Sequence, residues 1–93
     1  MILRMKLLIF YRPNSEHARA VETFVHDFQR QYTPSAKIEV LDIDTRDGAA
    51  MASLYDVLQY PAFLVTTNDG AFIHAWEGKE IPLMQEVAGY LSN

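Results

Sequence analysis

Three side chains able to take part in proton transfer or nucleophilic attack stand close together early in this sequence: Tyr11, Ser15 and His17. A serine near a histidine suggests acyl transfer, with the imidazole accepting the hydroxyl proton. The spacing speaks against it, because positions two apart do not share a helix face. The stretch reads as the start of a helix. Ser15, or Asn14 beside it, is then an N-cap, Glu16 is favourable in the first turn, and His17 is a first-turn residue kept neutral by the helix dipole. Asp42 and Asp44 form a second pair. Two carboxylates suggest acid–base work, but at the end of a strand they read as turn caps. His17, His26 and His74 fall on separate elements without ligand spacing, so no metal site and no cofactor are expected. Tyr11, Arg12 and Tyr60 are residue types that rim binding surfaces, and equally types that cover a sheet's end with their polar tips in water.

The 93 residues contain no cysteine. Disulfides, thiolate-bound clusters and thiol nucleophiles are therefore excluded for these residues. The formal charge of −4 speaks against a nucleic-acid or anionic-membrane surface, since both favour clustered Lys and Arg. No apolar leader or membrane-length apolar run is visible, and a cytoplasmic location is the expectation. Met5 is an alternative start to Met1, because the patterned sequence begins there.

The elements that must position these residues follow from hydrophobic period. Residues 5–11 hold a continuous apolar run, Leu7 to Phe10, which predicts a strand buried on both faces. Ala18, Val21, Phe24, Val25, Phe28 and Tyr32 recur at helical spacing, and Thr33-Pro34-Ser35 stops that helix. Residues 37–43 read as a second strand, so a parallel βαβ unit is expected. Residues 44–48 read as a turn and 49–55 as a short helix. A loop over 56–60 leads into Pro61. Residues 62–67 and 71–77 flank Asn68-Asp69-Gly70 as a hairpin. Phe72, His74 and Trp76 alternate onto one face of its second strand, which predicts Phe72 and Trp76 in the core. Pro82 fits the first turn of a last helix whose apolar face is Leu83, Met84, Val87, Ala88 and Leu91. With no linker or repeat, residues 1–93 read as one α/β domain of order β-α-β-α-β-β-α, a mixed four-stranded sheet covered by three helices.

That order resembles the thioredoxin fold, and local segments agree. Residues 9–19, Ile-Phe-Tyr-Arg-Pro-Asn-Ser-Glu-His-Ala-Arg, resemble the superfamily's passage from first core strand to active-site helix. Leu41-Asp42-Ile43-Asp44 with Gly48, then residues 55–61, resemble its second strand, second helix and cis-proline loop. Asn68-Asp69-Gly70 and Trp76-Glu77-Gly78 resemble its final hairpin. The resemblance places the two C-x-x-C positions at Ser15 and Ala18, or, one residue earlier, at Asn14 and His17. The buried carboxylate that thioredoxins carry beneath their cysteines falls on Ile9. It further implies a cis peptide at Tyr60–Pro61, with the backbone of Tyr60 pairing to an extended segment.

The expectation is a redox-inactive, thioredoxin-like binding module. Tyr11, Arg12, Ser15, Glu16, His17, Tyr60 and Pro61 would rim its vestigial groove. The partner would be an extended protein or peptide segment, and the chain a monomer or weak dimer. Two alternatives belong to other classes. One is a thiol-independent enzyme like the glutathione transferases, activating glutathione through Ser15 or Tyr11, although the helical second domain of those enzymes has no counterpart here. The other is a structural subunit docking through the exposed edge of the last strand.

Overall fold

A computed structural model describes residues 5–32, 37–78 and 80–91. They form β1 (Met5–Tyr11), α1 (Ala18–Gln31), β2 (Lys37–Asp42), α2 (Arg46–Leu54), β3 (Ala62–Thr67), β4 (Phe72–Glu77) and α3 (Met84–Leu91). The sheet order is β2-β1-β3-β4. β1 runs parallel to β2 and antiparallel to β3, and β4 returns antiparallel to β3. This is the order and the mixed sheet that the sequence predicts.

β1 and β3 lie at the centre, which explains their unbroken apolar runs. Side chains alternate across a strand. Leu7, Ile9 and Tyr11 therefore enter one core, with Val21, Phe24 and Phe28 of α1 and Val87 and Leu91 of α3. Leu8 and Phe10 enter the opposite core, with Ala52 of α2 and with Ile43 and Val57. The α1 core is aromatic at its centre: Phe24 meets Phe63 edge-on at 4.8 Å between ring centroids. The stop signal at 33–35 lies outside the described residues.

Several boundaries differ from the sequence reading, each for a local reason. α2 begins at Arg46 rather than 49. Thr45 is its N-cap: the hydroxyl accepts from Gly48 N–H at 3.0 Å and donates to the Asp42 carbonyl at 2.7 Å. Gly48 sits in the helix's first turn rather than in a turn before it. A Cβ there would lie 1.9 Å from the Asp42 oxygen, so this helix start can approach β2 only through a glycine. Asp44 N–H donates to Asp42 Oδ1 at 2.9 Å, the turn-capping role expected of that pair.

Phe72 is not in the core. Val65 faces His74 but Thr66 faces Phe72, so β4 carries one extra residue, Ile73, at this point. A bulge of this kind breaks the two-residue alternation. It turns Phe72 toward the side of Thr66, away from Trp76, and leaves it exposed. Trp76 does pack against the α1 core, next to His74 and Tyr90. Leu83 is also exposed, because the last helix starts only at Met84, with the Leu83 carbonyl accepting from Glu86 and Val87. Pro82 therefore precedes that helix instead of lying in its first turn. Among the described residues, no helix is long and apolar enough to cross a membrane.

Candidate functional site

β1 ends at Tyr11, and the chain makes a tight passage through residues 12–17 before α1 begins. Ser15 does not cap the helix. Its hydroxyl donates to the Arg12 carbonyl at 2.6 Å, and its N–H donates to the same oxygen at 3.2 Å. The Arg12 N–H donates to His17 Nε2 at 3.1 Å. Both backbone groups of Arg12 are thus satisfied by Ser15 and His17, and the loop closes on itself. The cap position falls on His17, which makes no side-chain cap bond. The sequence reading placed the cap at Asn14 or Ser15. The physical reason for the shift is that the Arg12 carbonyl, left over at the end of β1, takes the serine hydroxyl first.

This arrangement removes serine–histidine catalysis. The lone pair of His17 is used by a backbone amide, and the Ser15 proton points at a carbonyl. The His17 pKa is lowered, the direction expected, although the sequence reading assigned it to the helix dipole at a first-turn position. The causes are its partial burial and then the nearby Arg12 charge. Acceptance at Nε2 places its remaining proton on Nδ1.

Tyr11 is buried, 6.4 Å from His17 between ring centroids. Its hydroxyl donates to Glu22 Oε2 at 3.3 Å. Burial and then the Glu22 charge push the phenol pKa up. A phenol held protonated in this way is a poor activator of a bound thiol, which needs the tyrosinate or a strong acceptor. Arg12 is exposed and stands 3.6 Å from Asp44 through Nε, a contact of little energetic weight. Glu16 is set apart from this group. It lines an open cavity of about 610 Å³ between α1 and the approach to α3, with Phe24, Ile81 and Met84.

The second half of the expected groove comes from the loop before β3. The Tyr60–Pro61 peptide is cis. Pro61 is buried, and its carbonyl accepts from Gly78 N–H at 3.1 Å. Tyr60 packs against the α2-side core, and its hydroxyl donates to the Val57 carbonyl at 3.3 Å. Glu77 Oε1 accepts from the N–H groups of Leu58 and Gln59, at 3.1 and 3.4 Å. The next residue is different. Neither the N–H nor the C=O of Tyr60 has a hydrogen-bond partner among the described residues.

The register Phe10↔Ala62 brings the two halves to one end of the sheet, Tyr11 and Arg12 beside Pro61. The side chains nevertheless divide: Tyr11 belongs to the α1 face and Tyr60 to the α2 face. The cavities lined by Asp27, Arg30 and Met84, by Tyr11, Val21 and Glu22, and by Glu16, Phe24 and Met84 do not join Ser15 or His17 to Tyr60 or Pro61. Among the described residues no cluster of His, Asp or Glu could hold a metal ion. Two contributors were missed from sequence, Glu22 as the partner of Tyr11 and Glu77 as the anchor of residues 58–59. Neither has a signal, because each acts through a contact made only by the folded chain.

Comparison with protein-family models finds no match, and comparison with curated proteins finds none either. Solved structures do match. A thioredoxin-2 of the malaria parasite superposes with a TM-score of 0.78 at 13% identity, covering 99% of this chain and 84% of that one. The germline-specific thioredoxin Deadhead of Drosophila melanogaster gives 0.73 at 17% identity, covering 96% and 79%. A thioredoxin variant of Halobacterium salinarum gives 0.73 at 19% identity, covering 95% and 72%. The chain therefore has the thioredoxin fold, built without a cysteine. Its own residues offer no thiol for disulfide exchange.

Proposed function

We propose that this chain is a redox-inactive binding module that holds an extended protein segment at the sheet end formed by Arg12, Ser15, His17, Tyr60 and Pro61. The observation that carries this reading is the unpaired backbone of Tyr60. An N–H and a C=O on one residue with no partner among the described residues, next to two amides anchored by Glu77, form half of a strand pairing that an extended segment would complete. The helix-start loop supplies the opposite wall and does not compete for that backbone, since its own polar groups are satisfied internally. Arg12, exposed at the end of β1, contributes the rim; Tyr11 is committed to the α1-side core and Glu16 to the cavity beside α3. A thiol-dependent role for the same site is excluded by composition.

The test is a trap. Ser15→Cys introduces a lone thiol at the helix start, and Ser53→Cys, exposed on α2, serves as control. Both are exposed to lysate of the source organism, and DTT-reversible adducts are identified by mass spectrometry. A thiolate in the groove captures a cysteine of a segment lying there. The expected result is a recurrent partner with Ser15→Cys that Ser53→Cys does not capture. Identical backgrounds from both variants would remove the support for docking at this site.

A further inference from the structure

The charge of this chain is distributed unevenly. All eight Lys and Arg lie outside residues 47–78, where they balance the remaining acids. The stretch 47–78 holds Asp47, Asp56, Asp69 and Glu77 and no Lys or Arg, so the whole formal charge of −4 falls within it, between Arg46 and Lys79. None of these four carboxylates has an ion-pair partner among the described residues.

The same stretch carries four large exposed apolar side chains. Leu54 and Leu58 are 70% and 84% exposed, and Phe72 and Ile73 are exposed on β4. They border one strand. Tyr55 next to Leu54 donates from its hydroxyl to the Gly70 carbonyl at 2.8 Å, which ties the end of α2 to the turn before β4. Leu58 is tied to Glu77 at the strand's other end. The bulge adds Phe72 to the α2 side.

β4 is also an edge of the sheet. Gly78 N–H donates to the Pro61 carbonyl, so by antiparallel alternation the backbones of His74 and Trp76 point inward to β3. Those of Ala75 and Glu77 point outward, with no partner among the described residues. Edge strands are usually guarded by Lys, Pro or inward charges. Between Phe72 and Glu77 the bulge is the only such guard, and it sits at the far end from Ala75.

We propose that the β4 edge and the apolar strip beside it dock an extended segment of a partner protein whose apolar side chains are flanked by Lys or Arg, added as a fifth strand. Apolar side chains cover Leu58, Phe72 and Ile73. The cations meet carboxylates that have no ion-pair partner among the described residues; Asp69 and Glu77 accept only from uncharged donors, Thr67 and the amides of Leu58 and Gln59. Ala75 and Glu77 supply the backbone pairing. A second copy of this chain does not fit, because it would set Asp56, Asp69 and Glu77 against their own copies with no Lys or Arg in 47–78 to meet them. This surface adjoins the Tyr60 loop at Glu77, which anchors Leu58 and Gln59, but it does not use the Tyr60 backbone.

The probe is a synthetic peptide of about ten residues alternating Lys and Val. A Glu/Val peptide and a Lys/Ser peptide are the controls, and all are titrated into the 15N-labelled chain. The Lys/Val peptide is expected to bind, with amide shifts at 54, 58 and 72–77, and to weaken as salt rises. Leu58→Lys, on an exposed side chain, should weaken it about tenfold, and Ala75→Pro, which removes one outward N–H, by more. The wild-type spectrum apart from neighbours of position 58 reports that Leu58→Lys is folded, so the test survives if Ala75→Pro does not fold. Equal binding of the Glu/Val or Lys/Ser peptide, no binding at millimolar concentration, or shifts centred on His17 and Tyr60 would overturn the proposal. Shifts at 72–77 that grow with protein concentration alone would overturn the assignment of the occupant in favour of a second copy.

Discussion

Two loops meet at one end of this sheet, and they treat their backbone in opposite ways. Residues 12–17 spend their side chains on themselves: His17 takes the Arg12 N–H and Ser15 takes the Arg12 C=O. Residues 58–60 borrow a side chain from elsewhere, Glu77, which covers Leu58 and Gln59 and stops short of Tyr60. The difference teaches where an added strand can attach. The residues standing at the expected C-x-x-C positions have become structural, while the loop opposite them keeps a backbone donor and acceptor open. A wall without a thiol thus stands opposite a Tyr60 backbone that has no hydrogen-bond partner among the described residues.

The largest effect comes from a residue that supports both loops. Phe10 is fully buried and pairs in register with Ala62, one step inside the sheet from Tyr11 and Pro61. Phe10→Ala should cost about 3–5 kcal/mol, read by urea unfolding, and should erase the contrast by loosening both loops at once. Glu77→Ala addresses the open loop alone. It should cost about 1 kcal/mol and speed amide exchange at 58 and 59, with residues 12–17 unchanged. Glu77→Gln keeps an acceptor oxygen and should restore most of that protection.

His17 addresses the closed loop. His17→Ala should cost about 0.5–1 kcal/mol and expose the Arg12 amide, leaving 58 and 59 as they were. The same bond gives a pH dependence with a fixed sign. The folded pKa lies below the ordinary value of 6.5, so the unfolded chain takes up the proton first as pH falls. Stability from this group is complete above 6.5 and declines as pH drops through the lowered value, and His17→Ala should flatten that part of the stability profile. Ser15→Ala is the smallest change, about 0.5 kcal/mol, because the Ser15 N–H still donates to the Arg12 carbonyl.

The sheet and its helices were legible in the sequence because burial on two faces demands unbroken apolar runs and a covering helix demands a 3.6-residue stripe. Leu7 to Phe10 and the row from Ala18 to Phe28 carry those demands openly. The site was legible only in outline. Chain order brought Tyr11, Arg12, Ser15 and His17 into one loop, but which hydroxyl meets which carbonyl depends on tenths of an ångström at the end of β1. The bulge at Ile73 could not be read, since an inserted residue leaves composition unchanged while turning Phe72 from one face to the other. Glu77 reached its loop across a strand pairing that no local pattern encodes.

The most direct test of the docking account is hydrogen exchange at the Tyr60 amide, measured in the free chain and in the complex trapped through Ser15→Cys. The account predicts rapid exchange in the free chain, against slow exchange at Phe63 within the sheet, and strong protection once a segment is bound. A Tyr60 amide already protected in the free chain, or one still exchanging freely in the trapped complex, would contradict it.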